Sequence, residues 1–154
     1  MHIHQKLYSA CKKGKTAEAK RLIAEGAPVD WQDDEYGSAP LHGASDNGNT
    51  EIVMLLLENK CDANITDKDG NTPLILAAFG NRMDTVRALV EAGCDITIRC
   101  NENKTAVEVA KEKGSHAGGG YHARGYHAIA EYLRSIRFLP SPDDESDKRH
   151  GARG

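Results

Sequence analysis

The stretch Asp67–Asn81, DKDGNTPLILAAFGN, decides the fold. A polar turn containing a glycine leads to Thr72 and Pro73, where the Thr hydroxyl braces the turn, and a short apolar run with two adjacent alanines follows. Working outward, the same features recur about every 33 residues, a spacing diagnostic of stacked repeats. Leu74 has counterparts at Leu7, Leu41 and Val107. Three residues on stand Ala10, Ala44, Ala77 and Ala110. Seven residues on stand Gly14, Gly48, Asn81 and Gly114, residue types that tolerate the left-handed backbone of a turn between two helices. Paired apolar residues follow at Leu22-Ile23, Leu56-Leu57 and Leu89-Val90, and then Gly26, Lys60 and Gly93.

The unit has a physical logic. A short first helix with alanines on its buried face lets a neighbour approach closely. A glycine turn reverses the chain, a second helix carries branched apolar residues, and an exposed hairpin loop leads to the next unit. No unit buries both of its faces, so stacking must supply the core.

The opening stretch resembles the ankyrin-repeat consensus. So does Tyr36–Asn64, YGSAPLHGASDNGNTEIVMLLLENKCDAN, in which Pro40, Leu41, His42 and Ala44 stand for the Thr-Pro-Leu-His-x-Ala core. The likeness runs from about residue 5 to 135. It implies an all-α solenoid of stacked helix-turn-helix units joined by β-hairpin loops. Four repeats are expected, at about 5–33, 34–66, 67–99 and 100–138, in a domain over 1–139.

Departures from the consensus are informative. The first unit lacks Thr-Pro before Leu7 and carries Lys12, Lys13, Lys15, Glu18 and Lys20, the polar face of a terminal cap. Ala39 replaces the usual Thr, with Ser38 beside it as a substitute hydroxyl; Ile75 replaces His and Asn81 replaces Gly. In the fourth unit Cys100, Asn103, Ala106 and Val107 replace Asp, Gly, Pro and Leu. Its helices are expected at Thr105–Lys113 and Tyr126–Ile136, the second burying Ile129, Tyr132 and Leu133. The register then leaves about ten extra residues, an inserted surface loop at about 115–125 within GSHAGGGYHARGYHA (Gly114–Ala128). Here Gly114 is the ordinary inter-helix turn and His127 lies in the last helix's first turn. His116, His122 and His127 are the candidate metal ligands of this loop. They lack an evident fourth ligand and supporting partners, so a loop that touches solvent or a partner is the stronger reading. The segment 140–154, with two prolines and many charges, is expected to be disordered, with Ser141 and Ser146 as candidate phosphorylation sites.

Composition excludes several functions. Of 154 residues 28% are charged, yet the net charge is −3, which gives no basic excess for nucleic acid. The longest apolar run, Ile52–Leu57, is too short to cross a membrane. The start, MHIHQKLYSACKKGK, lacks the apolar core of a secretion signal, so four reduced cysteines and a cytoplasmic or nuclear location are expected. Gly14-Lys15-Thr16 mimics the end of a phosphate-binding loop, but Ser9 stands where another glycine is required. Cys61 and Cys94 align with the small Ala27, at a repeat spacing too wide for a disulfide; Cys11 lies on the first helix, and Cys100 is expected at a hairpin tip. His42 stands where the family keeps a histidine that bonds backbone. No acid–base pair or nucleophile–base spacing emerges, so neither catalysis nor a cofactor is expected.

The resemblance implies a concave surface of hairpin tips and first helices that binds a protein. Its candidate residues are Trp31, Asp33, Glu35, Tyr36 and Ser38 on the first tip, and Thr66, Lys68, Asp69 and Asn71 on the second. Arg99, Asn101, Glu102 and Lys104 follow on the third, and Asp46, Asn47, Phe79 and Gly80 on the helices. Trp31, Tyr36 and Phe79 are the favoured anchors, because aromatic residues dominate interface hot spots. The alternative for Trp31 is packing between hairpins, as for its equivalents Ile65 and Ile98. Acidic tips suit a basic partner. The resemblance also makes Asn64 a candidate for asparaginyl hydroxylation, against a role in turn hydrogen bonding alone. The expected function is a monomeric protein-interaction module, an adaptor or inhibitor. Substrate recognition for a ubiquitin ligase and ligand binding by the His/Gly-rich insertion are the alternatives, and the lack of an appended recruitment box weighs against the first of these.

Overall fold

A computed structural model describes residues 2–136, so the segment 140–154 with Ser141 and Ser146 lies outside the described residues. Among the described residues eight helices form four antiparallel pairs: α1 (Ile3–Lys13) with α2 (Thr16–Ala24), α3 (Pro40–Asp46) with α4 (Thr50–Glu58), α5 (Pro73–Phe79) with α6 (Met83–Glu91), and α7 (Ala106–His116) with α8 (Tyr121–Ile136). First helices stack on first helices and second on second. No strand occurs among the described residues; the connections are turns.

The repeated residues fill repeated places. Leu7, Leu41 and Leu74 are buried, as are Ala10, Ala44, Ala77 and Ala110 between neighbouring first helices. The carbonyls of Ala10, Ala44 and Ala77 accept the N–H of Lys15, Asn49 and Arg82, each at 2.9 Å, closing the turn between helices. The residue at the bend has positive φ in each case: Gly14, Gly48 and Asn81. Second helices close alike, with Ala27, Cys61 and Cys94 donating to the carbonyls of Leu22, Leu56 and Leu89 at 3.0–3.2 Å. Leu22, Leu56, Leu89, Ile129 and Leu133 are wholly buried. Truncating any of these leucines to alanine would cost about 2–5 kcal/mol.

Helix starts are capped in two ways. Thr72 and Thr105 accept the N–H of Ile75 (3.2 Å) and Glu108 (3.3 Å) on their hydroxyls, the usual N-cap bond. The second unit has Ala39 there, and no side chain caps its helix in that way. Ser38 does not substitute for the missing hydroxyl. Instead His42 Nδ1 accepts the Ala39 N–H at 3.0 Å, which leaves the ring proton on Nε2 for donation to the Asn71 carbonyl at 2.9 Å. His42 therefore caps its own helix and ties it to the next unit.

The fourth unit departs from expectation. The stretch 115–125 is not a loop over most of its length: α7 runs on through His116 and α8 begins at Tyr121 rather than Tyr126. Gly114 is not the inter-helix turn but a buried residue of α7, where an added Cβ would lie 3.1 Å from His127 Cε1. His127 accordingly lies in the second turn of α8. The bend has moved to Gly118, Gly119 and Gly120, all with positive φ. The physical reason is where the breakers fall: the three consecutive glycines interrupt the helix, while the residues on either side of them include no proline, so both helices extend up to the cluster. Relative to α5 and α6, α7 gains four residues and α8 seven, five of them before Tyr126, which carries the pair about 6–8 Å past the other turns at 1.5 Å per residue.

Two further placements differ from the sequence reading. Cys100 lies in the third tip, but its side chain is buried with the core rather than displayed. Trp31 is half-buried at the N-terminal end, its ring 4.6 Å from that of His4 and 6.2 Å from that of Tyr8, so it packs onto α1.

Burial holds the His42 imidazole below its ordinary value of 6.5, outweighing the bond to Asn71 that favours the charged form. The unfolded chain then takes up the proton more readily than the folded one. Stability is complete above about pH 6.5 and falls as pH drops through the ordinary imidazole range toward the depressed folded value, with a slope of at most about 1.4 kcal/mol per pH unit. Urea unfolding at pH 7.5 and 5.5 should show this loss, and His42→Gln should be less stable at pH 7.5 but flatter with pH. An unchanged slope in the variant would place the effect elsewhere.

Candidate partner-binding surface

Three hairpin tips and the exposed parts of the first helices form one side of the stack. Within each tip the chain crosses itself by two backbone bonds: Asp33 N–H to the Ser38 carbonyl (2.9 Å) with Gly37 N–H to the Asp33 carbonyl (3.0 Å), Asp67 to Asn71 (3.1 Å) with Gly70 to Asp67 (3.0 Å), and Cys100 to Lys104 (3.0 Å) with Asn103 to Cys100 (2.8 Å). The Asp33 carboxylate also accepts the N–H of Tyr36 (3.1 Å) and Ser38 (2.8 Å), and Asp67 accepts those of Asp69 and Asn71 at 2.9 Å. Cys100 occupies the equivalent place and offers no carboxylate. There Arg99 braces the turn instead, donating to the Asn103 carbonyl (2.8 Å) and pairing with Glu108 (2.9 Å).

The tips are also bonded to one another. Lys68 N–H donates to the Tyr36 carbonyl and Asn101 N–H to the Asp69 carbonyl, both at 2.9 Å. Gln32 Nε2 bridges the Gly37 and Thr66 carbonyls at 2.8 and 2.9 Å; Asn101 Nδ2 reaches the Lys68 carbonyl at 2.9 Å, and Lys68 Nζ reaches the Asp34 carbonyl. This approach needs glycine. At Gly70 (φ +77°) a Cβ would sit 2.6 Å from Asn101 Oδ1 and 3.0 Å from its backbone nitrogen.

The candidates thus divide by task. Asp33, Ser38, Lys68, Asn71, Asn101 and Arg99 are occupied in holding the tips. Lys104 bridges its tip to α7 through Glu112 at 2.6 Å; that bond raises the lysine's proton affinity and holds the Glu112 carboxyl below its usual range. Asn47 caps the end of α3, donating to the Gly43 carbonyl at 2.9 Å. Asn64 Oδ1 accepts the N–H of Asp95 in the next unit at 2.7 Å, as Asp30 accepts that of Asp62 at 3.0 Å. Glu35, Asp46, Asp69 and Glu102 are exposed on the surface. Two large apolar groups stand out with them, Tyr36 (61% exposed) and Phe79 (51%). The Glu35 carboxylate beside Tyr36 pushes its hydroxyl pKa up.

The structure adds two residues that are expected on the fourth unit's helices but not among the candidates for this surface. Lys113 Nζ lies 4.4 Å above the Phe79 ring, and the Tyr126 hydroxyl donates to the Phe79 carbonyl at 2.9 Å. Their signal was the register itself: Lys113 stands 33 residues after Gly80, and Tyr126 opens the expected last helix. His116 and His122 share a shallow depression with Lys113, Ala117 and Tyr126, whereas His127 lies against Gly114. Among the described residues no three His, Cys, Asp or Glu side chains are placed to hold a metal ion. All four thiols are free, and burial pushes those of Cys11, Cys61 and Cys94 up to about 12, which keeps them protonated and unreactive near neutral pH.

The family profile described as Ankyrin repeats (3 copies) matches residues 7–100 and 44–118. The chain belongs to the ankyrin-repeat family. Among curated relatives, the E3 ubiquitin-protein ligase XBAT33 of Arabidopsis thaliana is 35% identical over 144 residues, 90% of this chain and 26% of its own length. Protein phosphatase 1 regulatory subunit 12A of Mus musculus is 35% identical over 95 residues, 62% of this chain and 9% of its own length. A putative ankyrin repeat-containing protein of Treponema pallidum is 34% identical over 86 residues, 56% and 29% of the two chains. The chain thus spans less than a third of each of these relatives. Ankyrin repeats are a protein-interaction scaffold, and no described helix is long and apolar enough to cross a membrane.

The tip geometry of this ankyrin stack predicts unequal costs for two glycines. Gly93→Ala, whose site is open (φ +87°, nothing within 4 Å), should lose only the left-handed backbone penalty of about 1–2 kcal/mol. Gly70→Ala adds a clash with Asn101 and should lose clearly more in urea unfolding. Equal losses would show that the tips do not constrain each other.

Proposed function

We propose that this protein is a non-catalytic interaction module, a small adaptor or inhibitor, that binds a protein partner across its tips and first helices. The observation that carries the reading is the pairing of a rigid, bonded row of tips with two exposed aromatic side chains, Tyr36 and Phe79. An aromatic ring held out on a rigid frame loses little entropy on binding, and such residues supply most of the energy in protein interfaces. Exposed carboxylates at Asp34, Glu35 and Asp69 suit basic residues of the partner at this end of the surface. The protein works as a monomer in the cytoplasm or nucleus in this reading, and uses no cofactor.

A second reading has one observation in its favour. The likeness to XBAT33 spans nine tenths of this chain, which fits a role in choosing substrates for a ubiquitin ligase. Both readings use the same surface and differ in what the recovered partner is.

The test is affinity capture with quantitative mass spectrometry, using the full chain and its Tyr36→Ala and Phe79→Ala variants. Each substitution should lower recovery of the principal partner at least about tenfold, the loss of one hot-spot residue, with the thermal midpoint unchanged. Met54→Ala, which removes an exposed side chain of α4, should leave recovery as it is. Undiminished recovery with both aromatic variants would remove this surface from the interface, and co-recovery of ubiquitin-conjugating components would select the second reading.

A further inference from the structure

The lengthened pair α7–α8 projects past the turns of the other units, and its projecting part is chemically unlike the tips. It carries Lys111, Lys113, His116, His122 and Arg124 with the rings of Tyr121 and Tyr126. Lys113, His116, Ala117, His122 and Tyr126 line one depression of about 310 Å³ beside Phe79. Among the described residues Lys113, His116 and His122 take part in no ion pair. Glu112 is the carboxylate that feels His116 and Lys113, and it is already held by Lys104. The depression therefore offers one ammonium and two imidazole rings without a carboxylate in its lining.

The elements around it are fixed in place. Gly125 faces the Asn81 amide so closely that an added Cβ would lie 2.5 Å from its oxygen, and Tyr126 bonds the Phe79 carbonyl. Lys113 rests on the Phe79 ring, so its charge is presented beside an apolar surface. His122 stands in the first turn of a sixteen-residue helix, where the helix dipole also favours an anion.

We propose that this depression, with Phe79 at its edge, receives an anionic side chain, carboxylate or phosphate, from a peptide segment of the protein partner. The inference rests on the interaction-module reading above and adds the chemistry of one subsite. A nucleic acid fits less well than a peptide. The tips that share the surface carry Asp33, Asp34, Glu35, Asp67 and Asp69, which repel a polyanion, and the whole chain is at −3. A peptide meets both ends by placing basic residues at the tips and one or two anionic residues at the projection.

The test is a titration of the ¹⁵N-labelled full chain, followed by amide chemical shifts. The probes are an acetylated decapeptide alternating Glu with Ala, the same peptide with one phosphoserine replacing a Glu, and the Gln-for-Glu control. Saturable shifts at Lys113, His116, His122, Tyr126 and Phe79 with either anionic peptide, and none with the control, support the subsite. The glutamate and phosphoserine arms show which anion it prefers. Lys113→Gln combined with His116→Gln should weaken that binding at least about fivefold, with the amide spectrum otherwise preserved. No shift from either anionic peptide at about 2 mM would overturn the proposal, as would shifts centred on Lys12, Lys13 and Lys15 of the first unit. Tighter binding of a twelve-nucleotide oligouridine at the same residues would overturn it in favour of nucleic acid. If the peptides fail while Tyr36→Ala still releases the captured partner, only the anion subsite falls. If they bind while both aromatic variants retain the partner, the surface reading falls and the subsite stands alone.

Discussion

The close approach of each unit to the next is the constraint on which this molecule depends. Lys68 and Asn101 give their backbone N–H groups to carbonyls of the preceding tip, His42 gives its ring N–H to the following unit, and Asn49 gives its amide to the Cys11 and Lys12 carbonyls at 2.8 and 3.1 Å. The hydroxyls of Thr50 and Thr85 meet at 2.9 Å between the second helices. A unit alone would leave these groups to water and expose one face of its leucines. Each such bond contributes about 0.5–1.5 kcal/mol over its bond to water, and the leucine face needs cover, so each unit is stable mainly because its neighbour is in place. This explains where glycine is obligatory. Gly37 and Gly70 lie where the next tip approaches, whereas the third tip, on which no described hairpin stacks, carries Asn103 at φ +63°.

That nearest-neighbour character is also why the fold was legible from the sequence. A contact repeated at a fixed spacing writes the same residue at the same spacing. Leu7, Leu41 and Leu74 with their alanines therefore identify the first-helix core, and the left-handed positions Gly14, Gly48 and Asn81 identify the turns. What escapes this logic is whatever occurs once. The lengthening of α7 and α8 has no counterpart in the other units, and aligning Gly114 with Gly48 placed a turn where a helix continues. Local propensity carried the missing information: Lys111–His116 and Tyr121–Ala128 hold no proline, and the three consecutive glycines are the true break. Ser38 makes no cap bond: the His42 N–H that a Thr hydroxyl would accept goes to the Ala39 carbonyl at 3.0 Å, and the His42 ring holds the helix start through the Ala39 N–H instead.

The candidate surface was legible only in outline. Register locates the tips, but not the division between residues that hold them and residues that face outward. Asn71 and Asp33 look like contact residues in the sequence, yet the Asp33 carboxylate and the Asn71 backbone are spent inside the stack. Trp31 has the composition of an anchor, and its equivalents Ile65 and Ile98 suggest packing between hairpins, but it packs onto α1 beside His4 and Tyr8. Phe79, at the end of α5, keeps an exposed ring that meets Lys113 of α7, while its carbonyl is held by Tyr126 of α8.

The site of the insertion follows from the same packing rule. In an inner unit, α3–α4 or α5–α6, a longer pair would have to pass neighbours on both sides. In the fourth unit the described neighbours lie on one side only, so α8 lengthens by seven residues over α6 without displacing another unit. Docking onto Asn81 and the Phe79 carbonyl then fixes the projection relative to the tips. An exposed loop of glycine and histidine would have to be ordered by a ligand, at a cost in entropy that weakens binding. Helices seated on the adjacent unit have met that cost during folding, which lets a projection at one end act as part of the same rigid surface as the tips.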